Sequence, residues 1–126
     1  MVFPVKVLDT SFLVAFYLSG HNDHKRAIEL AKLHAEEAQL LPEVILFETL
    51  TVLNYKIGLQ ATYAAYQEML GNRAVTLVNL SPVEKLDLLD LFFLQKNKLS
   101  VADCSVIYLA RKHKAGVLSF DRGVQP

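Results

Sequence analysis

The strongest constraint on the fold is the spacing of short apolar runs by stretches of helical pattern. Residues 3–8 form an apolar, β-branched run of strand length, 74–80 (AVTLVNL) a second and 117–120 a third, with 39–41 as a very short fourth. Residues 10–18 read as a helix ended by Ser19-Gly20, and 21–38 as an amphipathic helix with Ala27, Leu30, Ala31 and Ala38 on one face. Pro42 suits the first turn of a helix running to Lys56 or Ile57, with Gly58 just past its end, and 60–70 form a further helix. SPVE at 81–84 has an N-cap Ser, a Pro at the first helical position and a Glu three residues after the cap, opening a helix to about Asn97. SVAD at 100–103 opens another to Lys114, with Gly116 as its stop.

Parallel strands need a crossover connection, usually helical, and a parallel sheet is normally covered on both faces. The expected fold is therefore an α/β three-layer sandwich, with a short, mostly parallel central sheet flanked by helices. Helices outnumber strands, so at least one connection holds a helical hairpin. No repeat or linker interrupts the pattern, and 126 residues suit a single domain over 1–126.

Composition narrows the class further. A 52% hydrophobic content supports a sizeable core and excludes a disordered chain. Thirteen basic residues balance thirteen acidic ones, so net charge alone points to neither a nucleic-acid nor a membrane partner. The single cysteine, Cys104, excludes an internal disulfide and any multi-cysteine metal site. Asp9, Glu48, Asp87 and Asp90 break the longest apolar stretches, so none reaches the roughly 20 residues of a membrane span. The start, MVFPVKVLD, lacks a basic segment leading into a long apolar one. These features predict a soluble, cytoplasmic protein without a membrane partner.

Four acids stand out. Ligands of parallel sheets bind beyond the carboxyl ends of the strands. Asp9 follows the first strand and Asp121 the last, so their carboxylates converge if those strands are neighbours. Asp103 lies in a first helical turn, where a carboxylate complements the helix dipole. Glu48 sits in PEVILFETLTVLNY with Val44, Thr51, Val52 and Tyr55 on its side, where burying a lone carboxylate is costly unless it is paired or liganded.

Each acid also has a purely structural reading. Asp9 can cap the helix after it, Asp103 can complete a capping box with Ser100, Asp121 can favour a turn with Gly123, and Glu48 can be exposed. Taken together, clustered carboxylates repel one another and a divalent cation relieves the repulsion. An all-oxygen set favours Mg²⁺ or Mn²⁺ over Zn²⁺. His21, His24, His34 and His113 form no ligand spacing, and Cys104 has no His placed to activate it, so it reads as a small buried residue.

The stretches VLDTSFLVAF at 7–16, ILFETLTVL at 45–53, LSVADCSVIYLA at 99–110 and VLSFDRG at 117–123 together resemble the PIN domain family, and within it the VapC-type toxins of toxin–antitoxin pairs. The likeness spans nearly the whole chain. In the family pattern an acid with Thr or Ser follows the first strand, as Asp9 and Thr10 do here. A second acid lies on the third long helix (Glu48), a third near the start of a helix (Asp103), and a fourth follows a later strand after a Ser or Thr two positions earlier (Asp121, with Ser119). Family members commonly continue past the fourth acid into another strand or helix, whereas this chain ends at Pro126.

The resemblance implies a Mg²⁺-dependent (or Mn²⁺-dependent) endoribonuclease using one or two ions, the toxin of a VapBC-type system, with RNA as substrate, an antitoxin as partner and a homodimeric state. It implies Asp9, Asp103 and Asp121 as metal ligands, and Glu48 as a fourth catalytic acid acting directly or through water. Thr10 and Ser119 would orient carboxylates or waters, and Arg122, Lys96 and Lys98 are candidate phosphate contacts. The alternative is a PIN fold kept as a non-catalytic RNA- or protein-binding module, which the four intact acids disfavour. A phospho-acceptor domain fits worse, because it needs a carboxylate pair after the first strand and a Lys after the last, where this chain has Asp121-Arg122.

Overall fold

Every apolar run becomes a strand, and every strand pairing is parallel. In the computed structural model, which describes residues 4–125, the strands are β1 (Val5–Leu8), β2 (Ala38–Pro42), β3 (Val75–Val78) and β4 (Gly116–Leu118). They form one sheet in the order β3-β2-β1-β4. Val7 of β1 stands between Leu40 and Val117 in the register. Helices α1 (Thr10–Tyr17) and α2 (His24–Leu33) connect β1 to β2, α3 (Glu43–Gly71) connects β2 to β3, and α4 (Pro82–Leu94) and α5 (Val101–His113) connect β3 to β4. The expected α/β sandwich and its helical hairpins are present. Phe3, at the start of the first expected strand, lies outside the described residues.

The core is the sheet's side chains pressed between helices. Val7, Leu8 and Leu41 from the strands are fully buried with Ile45 and Leu53 of α3 and with Val106 and Leu109 of α5. Burying an aliphatic side chain of this size is worth about 1.5–3 kcal/mol, so these residues fix which face of each helix meets the sheet. Helix α5 packs on β1 and β4, and α3 on β2, β3 and α1. Among the described residues, no helix is long and apolar enough to cross a membrane.

Several boundaries differ from the sequence pattern, each for a local reason. The amphipathic segment stops at Leu33, and a turn closed by the Glu37 amide donating to the His34 carbonyl (3.1 Å) releases Ala38 into β2. Pro42 is not in the first helical turn. It ends β2 with extended angles (φ −61°, ψ 138°) and occupies the N-cap of α3. Helix α4 stops at Leu94 rather than Asn97, and the Gln95 side chain holds both the amide (2.8 Å) and the carbonyl (2.9 Å) of Leu99. Helix α5 ends on Lys114 in the left-handed region (φ 51°), while Gly116, expected as the stop, begins β4. Glu84 fills the expected capping box with Ser81 and also pairs with Lys112 of α5; that pairing, ahead of the Ser81 amide, pulls its pKa down to about 2.

Helix α3 is two helical segments joined at Gly58, whose angles (φ 84°, ψ 170°) are open to glycine almost alone. A Cβ there would meet nothing within 4 Å, so the cost of substitution is conformational. Gly58→Ala should therefore lower stability by about 1–3 kcal/mol. The effect would be read as a lower urea midpoint with an unchanged slope; an unchanged midpoint would show that the kink carries no strain for other residues.

Candidate active site

The strand order creates one reversal: from β1 the chain steps outward to β2 and β3, then returns to place β4 on the other side of β1. The crevice at the carboxyl ends of β1 and β4 is thus the topological switch point, where open parallel sheets take their ligands. Each helix that leads into a strand runs against the sheet direction. The first turns of α2 and α5 therefore return to this same edge, where α1 and α3 also begin.

Asp9 occupies the N-cap position of α1, yet its side chain makes no cap hydrogen bond. The helix-cap reading is corrected: the carboxylate is 3% exposed and turns to two serine hydroxyls at the carboxyl ends of β1 and β4. Its Oδ2 accepts from the Ser11 hydroxyl (2.8 Å) and from the Ser119 hydroxyl (2.7 Å). A buried carboxylate needs such donors to offset its lost hydration.

Each hydroxyl has one proton to give and lone pairs left to accept. Ser11 Oγ accepts from the Phe120 amide (2.9 Å), and Ser119 Oγ accepts from the Asp121 amide (2.9 Å). Two hydroxyls thereby lash the segment leaving β4 to the acid leaving β1. The Asp9 amide adds a bond to the Leu118 carbonyl (3.1 Å). Ser119 holds Asp9, as expected of an orienting hydroxyl. Ser11 does the same, a role the sequence reading does not give it although its place two residues after the acid in D-T-S is a usable signal.

Asp121 is exposed, and its Oδ1 accepts from the Gly123 amide (2.9 Å), so the turn reading holds beside the functional one. Asp103, half-buried, closes the capping box of α5: its Oδ2 accepts from the Ser100 amide (3.1 Å) while Ser100 Oγ accepts from the Asp103 amide (3.0 Å). Glu48 is exposed, because the side of α3 that carries it is open: Val44 is 37% and Tyr55 85% exposed. The expectation of an apolar burial for Glu48 is thus corrected. Its Oε2 nevertheless accepts from the Thr10 hydroxyl (2.9 Å), which holds it beside Asp9's chain neighbour. Thr10 therefore orients Glu48 and not Asp9.

The other candidates fall outside this group. Cys104 is 1% exposed, and burial pushes its thiol pKa up, as expected of a packing residue. Lys96, Lys98 and Arg122 are exposed.

Among the described residues, no three of His, Cys, Asp and Glu are placed to hold one ion together. Asp9, Asp103 and Asp121 each have one oxygen engaged in the hydrogen bonds above and a second oxygen outside them. Mg²⁺ usually keeps several waters and takes only one or two carboxylates directly, so this donor set fits a hydrated hard cation.

Residues 6–125 match the family model of the PIN domain. The chain belongs to the PIN domain family. Among solved structures, this PIN domain is similar in fold to VapC20 of Mycobacterium tuberculosis, a sarcin–ricin-loop-cleaving toxin: TM-score 0.82 and 22% identity, over 94% of this chain and 92% of that one. It is also similar to VapBC2 of Rickettsia felis, solved bound to a fragment of its promoter DNA (TM-score 0.68, 11% identity, 93% and 88% covered). A third is PAE2754 of Pyrobaculum aerophilum (TM-score 0.60, 14% identity, 98% and 85% covered). No curated protein matches the PIN domain's sequence.

Proposed function

We propose that this PIN domain is a divalent-metal-dependent endoribonuclease and the toxin of a VapBC-type pair. The observation that carries the reading is Asp9: a buried carboxylate at the switch point, held by two serine hydroxyls from opposite ends of the chain. One of its oxygens is taken up by those hydroxyls, and the other stays outside the hydrogen bonds of the fold. Asp9, Asp103 and Asp121 would hold one or two Mg²⁺ or Mn²⁺ ions, directly or through water. The bound ion supplies an activated water and offsets charge on the leaving oxygen of the phosphodiester.

The chain's own residues do the rest. Ser11 and Ser119 keep the Asp9 carboxylate in one orientation. Thr10 occupies Glu48 Oε2 and leaves Oε1 to accept a proton from an attacking water. The RNA-cleaving neighbour in M. tuberculosis and the VapBC2 pair in R. felis support RNA as substrate and an antitoxin as partner. Exposed apolar residues on α4, among them Val83, Leu86 and Phe93, support burial against a second copy in a homodimer. The same fold as a non-catalytic binding module draws on the exposure of Glu48 and on the lack, among the described residues, of a three-acid cluster.

Cleavage of total RNA by the purified chain separates the two readings. Discrete products are expected with Mg²⁺ or Mn²⁺ and none in EDTA. RNA left intact with either ion would overturn the nuclease reading.

A further inference from the structure

We propose that Arg26 is a substrate-positioning residue that clamps an RNA backbone phosphate at the mouth of the acidic crevice, an inference that rests on the ribonuclease reading. Arg26 lies in the first turn of α2, which returns to the carboxyl edge of the sheet before β2 begins. Its guanidinium carbon stands 5.1 Å from the centre of the Phe120 ring. Phe120 lies between Ser119 and Asp121, and its amide donates to Ser11 Oγ, which itself donates to Asp9. The ring also packs 6.2 Å from that of Phe12, which is 4% exposed. Arg26 is thus joined to the Asp9 carboxylate through one fixed ring, one amide and one hydroxyl.

Stacking on an aromatic face orients a guanidinium while leaving its N–H edge free, and that edge matches a phosphate bidentately. The Arg26 side chain is 70% exposed, so the edge is open to solvent. Among the described residues its carboxylate partner is the half-buried Asp23 at 3.7 Å, a long, partly exposed pair of the kind an incoming phosphate displaces readily. A cation is needed at this place. Asp9, Glu48, Asp103 and Asp121 give the crevice edge a negative field, and a metal offsets it only at the phosphate being cut. The phosphates on either side still approach carboxylates. Arg26 supplies a positive charge at that lip, on a support built into the acid network itself.

The test is binding of a fluorescein-labelled single-stranded RNA to the full chain in EDTA, followed by anisotropy over a series of KCl concentrations. Arg26→Ala should weaken binding about fivefold and reduce the slope of log K against log salt by about 0.7, the share of one phosphate contact on single-stranded nucleic acid. Arg26→Lys, which keeps the charge without the planar fork, should keep the slope and recover part of the affinity. The melting temperature should move little in either variant, since the Arg26 side chain is 70% exposed. Unchanged affinity and slope in Arg26→Ala, with RNA cleavage by the wild-type chain, would overturn the role of Arg26 alone. A wild-type chain that cleaves no RNA removes the ribonuclease reading and this one with it.

Discussion

Asp9→Asn is expected to abolish metal-dependent RNA cleavage while leaving the fold intact. The amide has the shape of the carboxylate, and the serines that face it can turn to accept from its nitrogen, so the lashing between β1 and β4 survives in altered form. What is lost is the negative charge, on which a hard divalent ion depends. A metal ion contributes several kcal/mol of transition-state stabilisation, and each 1.36 kcal/mol is tenfold in rate, so a loss of about 10²–10³-fold or more follows. The measurement is the initial rate on total RNA at equal protein concentration, with circular dichroism to show that the variant is folded. A second readout separates metal binding from catalysis: Mg²⁺ or Mn²⁺ should raise the melting temperature of the wild-type chain and not that of the variant. Cleavage at the wild-type rate by Asp9→Asn would identify the activity as a contaminant and remove the enzymatic reading.

The sequence carried most of this architecture because its punctuation is strong. The Ser81 and Ser100 capping boxes and the kink at Gly58 were all readable, since each is set by a few neighbouring residues. Boundaries set by distant partners were not. Pro42 looks like a first-turn proline until β3 is known to pair with it, and Ala38 looks helical until β2 has a neighbour. The same division holds within the site. Asp103 and Asp121 make the local bonds that their neighbours predict.

Asp9 departs from its local reading because its hydroxyl partner Ser119 lies 110 residues away, a relation that no short window contains. Glu48 departs from the apolar pattern around it for a related reason. Hydrophobic neighbours at helical spacing suggest a buried face, yet whether that face is covered depends on tertiary packing, and here Tyr55 and Phe47 stand open. An apolar stripe at helical spacing can meet a core or a partner's surface, and the sequence pattern is alike in both cases.

Ser119→Ala should lower cleavage by about 10–100-fold, the usual loss when a residue that orients a metal-binding group is removed. Ser119 Oγ does two things at once: it donates to Asp9 Oδ2 and accepts the amide of Asp121. Without it the buried carboxylate keeps one hydroxyl donor, from Ser11, and the Asp121 amide loses its acceptor, so both acids at the switch point gain freedom. Loss of a hydrogen bond to a charged group costs about 1.5–3 kcal/mol, so a modest fall in the melting temperature should accompany the loss of rate. Ser11→Ala should act in the same direction, because its hydroxyl makes the matching pair of contacts to Asp9 and to the Phe120 amide. The double variant should lose less than the product of the two single losses, since both donors converge on one oxygen and share one task. A Mg²⁺ titration locates the defect: if the serines act by presenting Asp9 to the ion, raising Mg²⁺ restores part of the rate in Ser119→Ala and none in Asp9→Asn. Wild-type rate and metal dependence in Ser119→Ala would mean that Ser11 and the backbone suffice to hold Asp9, and the two-hydroxyl account of the site would fail.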